Sequence, residues 1–135
     1  YMSKISGPLL DRIDIHIDVP AVTFSKLRSR SSQLDSASIR ADVVRARDVQ
    51  TSRFGDGKIM LNSRMTHKQV EKYCQLDAAS EMLLKQAMTE FGLSARAHDK
   101  ICKLARTIAD LAGAKDIQTS HIAEAVSYRK LDRKL

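Results

Sequence analysis

Two arginines, Arg12 and Arg96, stand where a permanent positive charge could do chemistry. Arg96 falls in the first turn of a helix that Ser94 would cap. There the positive end of the helix dipole repels a cation, and acidic side chains are the ordinary choice. Amide N–H groups, a helix N-terminus and a guanidinium converging at one place suit an anion such as a phosphate. A solvent-exposed arginine carrying a small electrostatic cost fits the same residues. Arg12 follows Leu9-Leu10-Asp11 directly before an alternating segment. It reads either as a local ion pair with Asp11 or as a cation projecting from the rim of a sheet toward a neighbouring subunit. Arg106 and Asp110 sit at helical i, i+4 spacing, which favours a structural ion pair, and Asp99 and Lys103 repeat the arrangement.

Most other chemistry has no residues to carry it. His16, His67, His98 and His121 are scattered without metal-ligand spacing, so no metal site is expected. Neither Cys74 nor Cys102 has a convincing partner as a nucleophile, and two thiols without a CxxC pair suit a reducing cytoplasm. Gly55-Asp56-Gly57-Lys58 lacks the spacing and the Ser/Thr of a phosphate-binding P-loop and reads as a turn. These residues argue against a free-standing enzyme.

The elements that must position the two arginines are mostly helical. Residues 13–19, Ile13-Asp14-Ile15-His16-Ile17-Asp18-Val19, alternate apolar and polar up to Pro20, the pattern of a half-buried strand. No second strand of that quality follows, so this orphan would need its sheet from elsewhere. Residues 20–35 read as a connector, with a polar stretch from Ser29 to Ser32. A long helix runs from Ser36 to about Arg53, with Ile39, Val43, Ala46 and Gln50 on one face and Arg40 and Arg47 beside it. Thr66 caps a short helix through Tyr73, and Asp77 caps the next, which ends at Gly92 with Leu83, Leu84, Ala87, Met88 and Phe91 as its buried stripe. From Ser94, the residues Ala97, Ile101, Leu104, Ile108 and Leu111 predict the buried face of a helix that Gly113 stops. Thr119 opens a last helix through about Tyr128, before a basic tail from Arg129 to Leu135. The fold class is mainly α: one orphan strand, a long connecting helix and a helical bundle.

Charge points to an anionic partner. The 135 residues carry a formal net charge of +7. Residues 36–72 hold eight basic against four acidic side chains, the largest local surplus. Arg40, Arg47 and Arg53 could contact DNA, and a solvated helix face explains them as well. No apolar run is long enough to span a bilayer, so no membrane partner is expected. The opening residues, Tyr1 to Ser6, read as the interior of a longer polypeptide.

Ser6-Gly7-Pro8-Leu9-Leu10-Asp11-Arg12-Ile13-Asp14-Ile15-His16-Ile17, with Val19-Pro20, resembles the end of the ATPase core in magnesium-chelatase-like AAA+ proteins, above all the ComM/YifB competence-protein family. Leu93-Ser94-Ala95-Arg96-Ala97, continuing into Leu104-Ala105-Arg106-Thr107-Ile108-Ala109-Asp110-Leu111, resembles the helical lid of the same family. Weaker matches lie in Ile39-Arg40, Ala46-Arg47, Gln50, Arg53 and Tyr128-Arg129…Leu131-Asp132-Arg133. His98 stands where an aromatic is expected.

The resemblance implies three segments: residues 1–20 as the C-terminal end of the AAA+ core, 21–62 as a connector with the long helix, and 63–135 as the helical lid domain. It implies that Arg12 is an arginine finger acting in trans, with Asp11 supporting it, and that Arg96 is a sensor-2 arginine acting in cis. ATP and Mg²⁺ would be cofactors of the full-length protein, held by an upstream core, with none for the fragment alone. The partners implied are identical subunits in a hexameric ring and DNA. The activity implied is ATP-driven remodelling of DNA, as in a branch-migration helicase of natural transformation, in the cytoplasm. The alternatives are the ATPase subunit of a true magnesium chelatase and a stand-alone basic helical module that binds DNA. The orphan strand speaks against the latter.

Overall fold

The computed structural model describes residues 4–28, 35–55 and 61–129. Within them lie seven α-helices: α1 (Gly7–Arg12), α2 (Phe24–Arg28), α3 (Ser36–Phe54), α4 (His67–Tyr73), α5 (Ala78–Phe91), α6 (Ala95–Leu111) and α7 (Thr119–Ser127). A 3₁₀ turn, Asn62–Arg64, precedes α4. The Ser29–Ser32 stretch, most of the Gly55–Lys58 turn and the tail beyond Arg129 lie outside the described residues.

Local chemistry sets the helix ends. Thr66, Asp77 and Ser94 each accept a backbone N–H of the first turn of α4, α5 and α6. Asp35 does the same for α3. Gly92, at φ 61°, closes α5 in the left-handed conformation that side chains with a Cβ avoid, and Gly113, at φ 71°, follows α6 in the same way.

The bundle is built around α6, which packs against α7, α3, α4 and the 3₁₀ turn, while α5 packs on α7. Its buried face is Ala97, Ile101, Cys102, Ala105 and Ala109, set against Val70, Cys74, Leu84, Ile122 and Ala125. This corrects the stripe expected from the sequence. Ile101 is buried, but Leu104 and Ile108 flank the core half-buried and Leu111 is 40% exposed. Alanines line the contact because close approach of helix backbones leaves room for a methyl group and little more. On α3 only Ala46 and Gln50 are buried, and Ile39 and Val43 remain exposed.

The orphan strand is corrected as well. No sheet occurs among the described residues, and the pairing present is a single parallel bridge between Leu76 and Ile117. Residues 13–19 contain no strand, because no neighbouring strand is at hand to take their N–H and C=O groups. Their alternation runs the reverse of a half-buried strand packed on this bundle: Ile15, Ile17 and Val19 are exposed, and polar His16 is buried. A short helix, α1, stands just before this segment, capped by Ser6 with Pro8 in its first turn.

Candidate functional site

Asp11, which directly precedes Arg12, contacts Arg96 and the capping residue Ser94 at one rim of the bundle. Six residues make α1, anchored by buried Leu10, and Arg12 closes it. Arg12 is exposed, with no hydrogen bond or ion pair among the described residues. Arg96 lies in the first turn of α6, its side chain 62% exposed, with Nη1 3.5 Å from Oδ2 of Asp11. The Ser94 hydroxyl accepts from the Ala97 N–H at 3.2 Å and donates to Oδ1 of Asp11 at 3.3 Å, so one residue caps α6 and ties α1 to it. Asp11 thus holds Arg96 and the cap of α6 only loosely. A 3.5 Å contact on an exposed arginine is easily exchanged for a stronger anion. A shallow cleft lined by Gly7, Pro8, Asp11, Ser94 and Arg96 opens at this point.

Three more links hold the extended segment after α1 against the bundle. Lys100 Nζ lies 2.8 Å from Asp14 Oδ1, the His16 N–H donates to the Tyr128 carbonyl at 2.7 Å, and an Arg129 Nη1 donates to the Ile13 carbonyl. Arg129 is 1% exposed, the most deeply placed charge in this region. Sequence reasoning missed its role. The signal present was a cation directly after an amphipathic helix, which by itself suggests only a favourable dipole contact.

The remaining arginines separate into two groups. Arg40 and Arg47 point outward from α3, and neither has a salt bridge among the described residues. Arg53, grouped with them in the sequence, is turned inward. Its guanidinium donates to both carboxylate oxygens of Asp110, at 2.8 and 2.6 Å, and to Asn62 Oδ1 at 2.8 Å. Asn62 in turn donates to Asp110 at 2.8 Å, and Arg106 Nη2 lies 3.2 Å from the same carboxylate. Arg106 also donates to the Ala114 and Lys115 carbonyls, which ties down the turn after α6. The expected Arg106–Asp110 pair is therefore present as part of a buried cluster joining α3 to α6. The Asp99–Lys103 pair is not formed. Asp99 instead bonds His67 at 2.9 Å and His98 at 3.0 Å, and Lys103 reaches the Ser63 carbonyl at 3.4 Å.

Electrostatics follow this geometry. Burial would raise the Asp99 carboxyl, but hydrogen bonds from His98 and His67 outweigh it and hold the group below its usual value. The same bond to Asp99, with its charge and that of Glu71, raises His67. Burial pushes the Cys74 thiol up to about 11 and Cys102 to about 12, so both are packed as apolar side chains and are poor nucleophiles. No cluster of three or more His, Cys, Asp or Glu suited to a metal ion occurs among the described residues. No helix there is long and apolar enough to cross a membrane.

The fold and rim define a helical domain of a known class. The family described as magnesium chelatase, subunit ChlI C-terminal, matches residues 33–129, and magnesium chelatase, subunit ChlI, matches residues 1–27. The chain belongs to this magnesium-chelatase-like family of AAA+ proteins. Among curated relatives it is 38% identical over 136 residues to the competence protein ComM of Haemophilus influenzae, covering 100% of this chain and 26% of that protein. It is 36% and 34% identical to the YifB proteins of Salmonella typhimurium and Escherichia coli, again over 100% of this chain and 26% of theirs. The chain thus spans about a quarter of the length of these relatives.

Proposed function

We propose that this chain forms the finger-bearing end and the helical lid of a ring-forming AAA+ ATPase that couples ATP hydrolysis to remodelling of DNA. The observation that carries the reading is that Asp11, directly before the exposed Arg12, pairs with Arg96 and accepts from Ser94 at the N-terminus of α6. Each exposed guanidinium suits the terminal phosphate of a nucleotide, Arg96 beside a helix N-terminus in its own subunit and Arg12 across an interface, because that phosphate needs planar, permanently charged donors where negative charge develops. The chain offers no P-loop motif, so in this reading an upstream core holds the nucleotide. Mg-ATP, when bound there, would supply the phosphoanhydride bond to be broken and a metal charge to offset that of its phosphates. Arg96 reaches the terminal phosphate of its own subunit, and Arg12 reaches that of the neighbouring subunit in a hexamer. Asp11 holds Arg96 until a phosphate takes its place, and stays tied to Ser94.

The exposed apolar row Ile13, Ile15, Ile17 and Val19 supports the same reading, because an alternating apolar face is what a neighbouring sheet would cover. The DNA substrate draws support from the name of the Haemophilus relative, competence protein, and from the outward cations Arg40 and Arg47. The cytoplasm is the compartment this reading requires.

Steady-state ATP turnover by the full-length protein tests the assignment. Arg12→Ala is expected to lower turnover on the order of a thousandfold, the scale of an arginine finger. Arg12→Lys should not restore it, because a point charge cannot reproduce the planar fork. The 135-residue chain alone should not bind Mg-ATP tightly. Micromolar affinity by calorimetry would contradict the proposal.

A further inference from the structure

We propose that Arg129 is the positioning residue for Arg12, an inference that rests on the reading of Arg12 as a finger. A finger is useful only if its guanidinium is held close to where charge develops, since small misplacements cost large factors in rate. Nothing within α1 provides that. A helix of six residues cannot hold itself, and Arg12 has no hydrogen bond or ion pair of its own among the described residues.

The residues on either side of Arg12 are the ones held. Arg129 donates through Nη1 to the carbonyl of Ile13, directly after Arg12. Its Nη2 lies 4.0 Å from Oδ1 of Asp11, directly before it. One guanidinium therefore spans the turn that carries Arg12, hydrogen-bonded to a main-chain oxygen on one side and in charge contact with a carboxylate on the other. A planar fork can do this and an ammonium cannot. The grip is stiff, because Arg129 is 1% exposed and follows α7, whose Ile122 and Ala125 belong to the central core. Tyr128 reinforces it through the His16 N–H, and Lys100 through Asp14. A buried arginine costs desolvation, so a merely structural support for α1 would be made as well by an apolar side chain. The arrangement makes sense as a mount: the bundle carries the Arg12 turn, so a movement of the lid moves the finger with it.

Two variants and two measurements test this. In the 135-residue chain, Arg129→Met keeps the apolar stem and removes the fork. Amide hydrogen exchange should then quicken at least tenfold at His16, with the Ile101 and Ala105 amides of the core unchanged. In the full-length ring, the same variant should lose at least tenfold in turnover at unchanged nucleotide affinity. It should recover when mixed with a subunit that binds but cannot hydrolyse ATP and that keeps Arg12 and Arg129. A defect confined to the variant's own pocket or fold would not recover in that mixture. Should the core amides exchange together with His16, the Met variant has unfolded globally. Arg129→Lys, which keeps charge and stem, then carries both measurements with the same expectations. Unchanged exchange at His16 overturns the mount, whatever the ring does. Loosened His16 with intact turnover, in a ring that Arg12→Ala inactivates, overturns the positioning role. Intact turnover in Arg12→Ala itself overturns the finger reading, while the exchange at His16 still decides the mount.

Discussion

Removing the Asp110 carboxylate should cost the chain a large part of its stability. Asp110 is 1% exposed and receives two bonds from Arg53, one from Asn62 and the charge of Arg106. In Asp110→Ala the buried Arg106 and the largely buried Arg53 keep their charges without that carboxylate. Breaking one side of a buried pair typically costs about 3–5 kcal/mol. A domain of this size has roughly 5–15 kcal/mol in all, so the loss approaches the whole of a marginal fold. Asp110→Asn keeps the volume and one acceptor and should fall between wild type and Asp110→Ala. The cluster is also the main polar link between α3 and α6, so α3 should loosen first. Urea unfolding followed by circular dichroism gives the free energies. A cycle of Arg53→Met, Asp110→Leu and the double variant isolates the pair. The double variant should be more stable than the sum of the singles by about 0.5–3 kcal/mol, the range for residues in one network. A loss below about 1 kcal/mol in Asp110→Ala, the value of an exposed pair, would refute the argument.

The His67–Asp99 bond should make stability depend on pH with a definite sign. His67 is raised above 6.5 in the fold, so its contribution is complete below pH 6.5 and is lost as pH rises through the raised value. Asp99 is lowered below 3.8, so its share holds above pH 3.8 and fades as pH falls through the lowered value. The melting-temperature gap between wild type and His67→Ala should therefore be widest between these limits and narrow by pH 8.5. A gap that stays constant or widens on going alkaline would contradict the assignment. The thiols of Cys74 and Cys102, raised to about 11 and about 12, should react with iodoacetamide only as fast as the chain unfolds. Rapid labelling of the native chain at pH 7.5 would show the core is open there. Reversing Arg40 and Arg47 to Glu in the full-length protein should weaken DNA binding and flatten its dependence on salt, since each lost phosphate contact releases fewer counterions. An unchanged slope would return both to the solvated face of α3.

Much of the bundle was legible because its signals are local. Thr66, Asp77 and Ser94 announce helix starts within three residues of the amides they accept from, and Gly92 and Gly113 mark the stops. The Arg106–Asp110 pair was legible for the same reason. Long-range partners were not. Arg53 groups with Arg40 and Arg47 as one more cation of the long helix, and nothing near it reveals that Asp110, 57 residues away, would draw it inward. The alternation at residues 13–19 fixes which side chains share a face but cannot say whether a neighbouring strand is present. Ser6 and Pro8 did carry a start signal for α1, but the stronger pattern after it drew the eye to a strand. Arg129 reaches Ile13 across 116 residues, a contact that only the fold reveals.

Arg12 and Arg96 are proposed to serve phosphates in different pockets, although Arg12 directly follows the Asp11 that pairs with Arg96. Mixed rings decide it most directly. Full-length subunits bearing Arg12→Ala or Arg96→Ala are each combined with a subunit that cannot hydrolyse ATP but keeps both arginines, and turnover is measured in rings shown to be mixed. Recovery is expected for Arg12→Ala, whose sound pocket receives a finger from its neighbour, and none for Arg96→Ala, whose defect lies in its own pocket. Equal recovery of both, or of neither, would contradict it.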